Sequence, residues 1–330
     1  MLWTDIAKYN STAWAIRPER LAAMLDASGR ISGVRMGEDF EAAMELARGA
    51  PPRRPAANAV ARIRIDGPIE QKATIWTLLF GGSACDMIAA EFEAALADPD
   101  VKGILLEIDS PGGTVAGIPE LARTIRSARG RKPIVAHANA EAASAAYYLA
   151  SQADEVVSTP SGQVGSIGVI YLHTDLTGMA EKEGISFRIF RSQERKADIN
   201  PYESLSEEAA ADIQAKVDAY DAMFVRDVAR GRGVSVEKVR ADYGAGRMFL
   251  AADALKAGLI DRIEAIEETA ARLASGTVAA RQAATSSEES GEPGEPAPNP
   301  VPHEVVVARA AAIASWRFPQ STKEDVTCPV

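Results

Sequence analysis

The stretch VKGILLEIDS (Val101–Ser110) carries five aliphatic side chains in ten residues, and they fall on both parities of a two-residue repeat. A strand with one wet face alternates apolar and polar residues; this one does not, so it reads as a strand covered on both faces. Its neighbours support that reading. AVARIRIDGPI (Ala59–Ile69) is strand-like, DMIAAEFEAALADP (Asp86–Pro99) and IPELARTIRSAR (Ile118–Arg129) are amphipathic helices, and KPIVAHA (Lys132–Ala138), DEVVSTP (Asp154–Pro160) and VGSIGVIYLHTDL (Val164–Leu176) read as further strands. Alternation of this kind predicts an α/β domain with a largely buried sheet and a site at its strand-to-helix loops.

The ends of the chain read differently. RPERLAAMLDA and DFEAAMELARG place apolar residues three and four apart, so residues 1–50 are expected to be a helical appendage. The proline-rich GAPPRRPAAN marks a linker over 51–59, the main domain is expected over 60–275, and ISFRIFRS (Ile185–Ser192) is expected to contribute another strand. SEEAAADIQAKVDAYDAMFVRDVARGRG (Ser206–Gly233) reads as a long helix capped by Ser206 and closed by glycine. Residues 276–330 open with a Ser, Glu, Gly and Pro-rich run that cannot bury enough apolar surface to order itself, and are expected to be a disordered tether with a short tail.

Charge and composition narrow the function. A net charge of -10 argues against binding nucleic acid, whose phosphates call for Lys and Arg. Cys85 and Cys328 are the only cysteines, far apart and without metal-ligand spacing, so neither a disulfide framework nor a zinc site is expected. No stretch approaches the roughly 20 apolar residues of a membrane span, and the expected setting is the cytoplasm.

Two loops could carry chemistry. IDSPGGTVAG (Ile108–Gly117) runs from a strand into paired glycines, whose bare backbone lets a ligand approach the N–H groups; a tight turn accounts for the same residues equally well. NAEAASAAYYLASQADEVV (Asn139–Val157) sets Ser144 near the start of a helix among small residues, where it reads either as a cap or as a nucleophile beside the N–H of Ala145. A nucleophilic serine needs a base. His137 and His173 lie inside apolar strand patterns and His303 in the tether, which leaves a lysine; Lys196 in FRSQERKADINPY, with Arg195 beside it to favour the neutral amine, ranks only slightly above Lys182 and Lys132.

In order and spacing, IDSPGG, AEAASAAYYLASQADEVVSTPSGQVGSIGV and FRSQERKADINPY resemble the signal peptide peptidase A and phage protein C family of serine peptidases. The resemblance covers about Val60 to Glu264. It implies a Clp protease/crotonase-like fold of repeated strand-strand-helix units and a Ser–Lys dyad of Ser144 and Lys196, whose chemistry requires no metal or cofactor. It also implies an oxyanion hole from the N–H groups of Gly113 and Ala145, with Gly112 as the fallback. The family often has glycine after the serine where this chain has Ala145, which bears on pocket shape more than on chemistry.

Single-domain members form rings in which serine and lysine can come from neighbouring subunits, so a homo-oligomer is expected. WAIRPERLAAML resembles phage-type members, which implies a head maturation protease acting on scaffold, portal or capsid proteins. A soluble peptidase of released signal peptides is the alternative. A crotonase-like acyl-CoA enzyme or a non-catalytic assembly scaffold follows, and neither would need Ser144 and Lys196.

Overall fold

The computed structural model describes residues 13–17, 19, 59–73, 77 and 82–278. Its strands in chain order are β1 (Ala13–Ile16), β2 (Ala59–Asp66), β3 (Ile69–Glu70), β4 (Ser83–Ala84), β5 (Val101–Ser110), β6 (Gly112–Thr114), β7 (Ile134–Ala143), β8 (Glu155–Ser158), β9 (Gln163–Gly165), β10 (Ile170–Tyr171), β11 (Met248–Leu250) and β12 (Arg262–Ile263). The helices are α1 (Cys85–Ala97), α2 (Ile118–Ser127), α3 (Ala145–Ala150), α4 (Thr177–Lys182), α5 (Glu207–Arg232), α6 (Val236–Asp242), α7 (Ala251–Ala257) and α8 (Ile266–Ala274).

β5 is the centre, as its apolar run requires. It pairs in parallel with β2 on one side and β7 on the other, and β7 pairs first with β8 and then, nearer its end, with β9. One face packs Ile63, Ile65, Ile104, Leu106 and Ile108 against Phe92, Leu121 and Ile125 of α1 and α2. The opposite face packs Leu105, Val135 and Val157 against Ile266 and Leu273. Covering both faces is what makes β5 non-alternating, and each large side chain withdrawn from water contributes about 1.5–3 kcal/mol. Gly103 lets α8 close on this face, since a side chain there would begin 2.7 Å from Leu273 Cδ1.

A second sheet runs in the order β10-β1-β6-β3-β4. It corrects the expected helical appendage over 1–50: Ala13–Ile16 is a buried strand inside this sheet, antiparallel to both β6 and β10. The other predicted helical residues before Ala59, apart from Arg17 and Glu19, lie outside the described residues, as do the linker before Ala59 and the tail after residue 278, with His303 and Cys328.

Two further expectations change. ISFRIFRS is not a strand; Ile185–Arg191 is irregular, and Ile185, Phe187 and Phe190 are exposed, because no strand of the described chain lies alongside to accept its hydrogen bonds. VGSIGVIYLHTDL yields only the short β9 and β10, interrupted at Ser166, whose φ of 54° breaks the extended backbone.

Candidate active site

β7 stays extended through Ala143, so the corner is made by Ser144 alone. Ser144 has φ 51° and ψ -117°, and α3 starts at the next residue. A non-glycine residue held at such angles costs about 1–3 kcal/mol and persists only where its surroundings over-determine it. They do so here. The Ser144 N–H donates to the Gly165 carbonyl at 2.7 Å, its own carbonyl accepts from Tyr148 N–H at 2.8 Å, and every residue of α3 is buried.

The two tyrosines are the anchors. Tyr147 donates to the Leu259 carbonyl at 2.8 Å, while Tyr148 donates to Asp227 and stacks on Phe224 with centroids 4.6 Å apart. Burial pushes both phenols up, so they remain neutral donors. Arg129 ties the far end of α3, donating to the carbonyls of Ser151, Gln152, Ala153 and Gly231 at 2.7–3.2 Å.

The Ser144 hydroxyl is 1% exposed in its residue and directs its Oγ to the Gly168 carbonyl at 3.5 Å, a long contact that leaves the oxygen free to react. The glycine loop comes directly against it. A side chain on Gly112, which has φ 99°, would begin 3.0 Å from Ser144 Cβ and 2.2 Å from the Ala15 carbonyl oxygen. One on Gly113 would begin 1.9 Å from the Ile69 carbonyl oxygen. Both positions therefore require glycine for close backbone approach rather than for a turn alone. Ala145, as the first helical residue, has no acceptor within its own helix.

Ser144, Gly112, Gly113 and Ala145 are thus brought together. No hydrogen bond joins Lys196 to them: it sits exposed in a 3₁₀ turn (Glu194–Ala197), and its Nζ makes no hydrogen bond or ion pair among the described residues. Arg195 does not serve it either, because its guanidinium is engaged by Asp198, Glu208 and Asp212. Neither histidine of the described residues hydrogen-bonds to Ser144. His137 is fully buried on the α8 face, with Nδ1 2.9 Å from Thr269 Oγ1, and desolvation holds it down to about 4.

Three features beside Ser144 escaped the sequence reading. β1 lies along the glycine loop, Arg17 reaches Glu141 of β7 at 2.6 Å, and a cavity of about 410 Å³ opens between Ile16, Ile167, Val169, Val225, Val239 and Tyr243. The signal for β1 was Arg17 standing before Pro18, a position biased to extended backbone.

The sequence profile of peptidase family S49 matches residues 126–280, from the end of α2 through the Ser144 corner to the end of α8 and just beyond. The chain carries a peptidase family S49 segment. The α/β architecture around it accords with the Clp protease/crotonase-like fold that the family resemblance implied. Among known proteins, the chain is similar to the head-tail preconnector protein of Enterobacteria phage P21, 34% identical over 206 residues, which are 62% of this chain and 41% of that protein. It is similar to capsid assembly protease C of Escherichia phage lambda, 33% identical over 206 residues, 62% of this chain and 46% of that one. A putative signal peptide peptidase of Enterococcus faecium is 34% identical over 168 residues, 50% of this chain and 48% of that one. The chain thus spans less than half the length of each. Among the described residues no helix is long and apolar enough to cross a membrane, and no cluster of His, Cys, Asp and Glu could hold a metal ion.

Proposed function

We propose that this chain is a serine endopeptidase in which Ser144 is the nucleophile, Lys196 the general base, and the N–H groups of Gly113 and Ala145 the oxyanion hole. The observation that carries the reading is the strained Ser144 corner with the Gly112–Gly113 backbone pressed against it. Strain of this kind gathers where a reacting atom must be presented, and paired backbone donors beside it suit a developing oxyanion. A neutral lysine takes the Ser144 proton, the oxygen attacks the peptide carbonyl, and the charge on the tetrahedral carbonyl oxygen is met by the two N–H groups. The protonated lysine then gives its proton to the leaving amine, and water, deprotonated by the same lysine, releases the acyl group.

Lys196 is supplied by a neighbouring copy of the chain in this reading. It is exposed and, among the described residues, without a side-chain partner, and the segment before it displays Phe187 at 41% and Phe190 at 86% exposure. A contact that covered this segment would also provide the burial that favours a neutral amine. The names of the phage relatives favour structural proteins of an assembling phage head as substrates.

The test is cleavage of casein and of phage scaffold, portal and capsid proteins by the wild type, Ser144→Ala and Lys196→Ala. Both variants should assemble as the wild type does and cut nothing, while a co-assembled mixture of the two should regain activity, because some interfaces then pair an intact serine with an intact lysine. Activity retained in Ser144→Ala would overturn the assignment; a mixture as inactive as its parts would place the base within the same chain.

A further inference from the structure

β1 fills a gap one strand wide. Among the described residues β10 pairs with no strand but β1, and β6 is flanked by β1 on one side and β3 on the other. Without β1 the facing edges of β6 and β10 would stand about 9–10 Å apart, two strand spacings, with their backbone donors and acceptors open to an extended peptide.

The register is specific. Val115 N–H donates to the Ala13 carbonyl at 3.2 Å and Arg17 N–H to the Pro111 carbonyl at 3.0 Å. The alternation of an antiparallel ladder makes Ala15 and Gly113 the hydrogen-bonded pair between them, so the Gly113 N–H is directed at the Ala15 carbonyl. The position a Gly112 side chain would take lies 2.2 Å from that same Ala15 oxygen and 3.0 Å from Ser144 Cβ, so oxygen and serine lie no further apart than those two distances laid end to end.

We infer that Ala13–Ile16 is a built-in pseudo-substrate: it occupies the peptide track between β6 and β10 and sets the Ala15 carbonyl in the oxyanion position, so a substrate strand binds only when β1 leaves. This rests on the reading of Ser144 and Gly113 given above. The occupant also indicates what the track accepts. Ala15 is 2% exposed against the glycine loop, which leaves room for a small residue at the reacting carbonyl, and Ile16, the next residue, borders the apolar cavity. The Arg17–Glu141 ion pair latches the strand to β7 just ahead of Ser144.

The test uses the full chain, with a fluorophosphonate probe for Ser144 and a quenched peptide with alanine at the scissile bond. Ala15→Asp, which places a charge where β1 is buried, and Ala15→Pro, which removes a ladder N–H, should each release the strand and raise the rate of Ser144 labelling by at least about tenfold. A synthetic peptide of residues 11–19 should inhibit quenched-peptide hydrolysis competitively, and the same peptide with aspartate for Ala15 should not. Folded variants labelled no faster than the wild type would overturn the inference while leaving the peptidase reading intact. Absence of Ser144-dependent labelling in every variant, with folding preserved, would remove the peptidase reading itself. Should both substitutions prevent folding, the peptide decides: competitive inhibition of the wild type upholds the pseudo-substrate, and no inhibition at saturating peptide overturns it.

Discussion

Replacing His137 with asparagine separates the structural histidine from the catalytic question, and its size can be worked out in advance. The ring lies wholly buried in β7, with Nδ1 held 2.9 Å from Thr269 Oγ1 and Nε2 without a partner among the described residues. Desolvation holds its pKa down to about 4 from 6.5, against the opposing pull of Glu264 and Glu107. Above pH 6.5 the ring is neutral folded and unfolded alike, and its contribution is complete. Between 6.5 and 4 the unfolded chain binds a proton that the folded chain refuses, so stability falls as pH falls, by up to about 1.4 kcal/mol per unit and on the order of 3 kcal/mol in all. Glu264 acts lower down: burial works to raise its pKa, but hydrogen bonds from Arg272 and Thr269 hold it below 4.5, so its share is lost only beneath that value. Asparagine keeps a polar atom for Thr269 and does not titrate. Urea midpoints measured from about pH 7.5 down to about pH 5 should fall steeply in the wild type and much less in His137→Asn, with kcat/KM at neutral pH within about threefold of the wild type. Parallel slopes would refute the buried neutral ring, and a loss of several orders of magnitude in kcat would return histidine to the role of base.

Gly113→Ala would put a methyl group 1.9 Å from the Ile69 carbonyl oxygen and 2.6 Å from the Ile69 backbone C and N, none of which can move aside like a side chain. It should cost roughly 1–3 kcal/mol by denaturant titration and lower kcat by roughly 10²–10³ as its N–H is displaced; wild-type values of both would show that the loop is not packed in this way. Arg129→Met removes donors from four carbonyls where α3 ends and α5 passes, so a loss of roughly 3 kcal/mol is expected in the same assay, and a loss below about 0.5 kcal/mol would show those carbonyls to be solvated instead.

What could be read in the sequence was whatever depends on local pattern. The unbroken apolar run of β5 specifies cover on both faces, and the small residues around Ser144 specify close approach; both arise from neighbours in sequence. The rest depends on partners that sequence spacing does not encode. Ile185–Arg191 has the apolar content of a strand, yet a strand needs an edge, and the described chain offers it none. Ala13–Ile16 looked like the approach to a helix because the residues after it have helical spacing, yet β6 and β10 together present an edge on each side, and four residues suffice to fill it. The two errors have opposite signs and one cause. A segment before Lys196 that no strand of the described chain pairs and a paired one beside Ser144 are complementary if the chain works as an assembly: the same association that covers Phe190 then displaces β1, so that the nucleophile is uncovered only when its base arrives. On that view the activity of the wild type should rise more steeply with chain concentration than that of Ala15→Asp, whose track is already open, and identical concentration dependence would show that assembly and release of β1 are independent events.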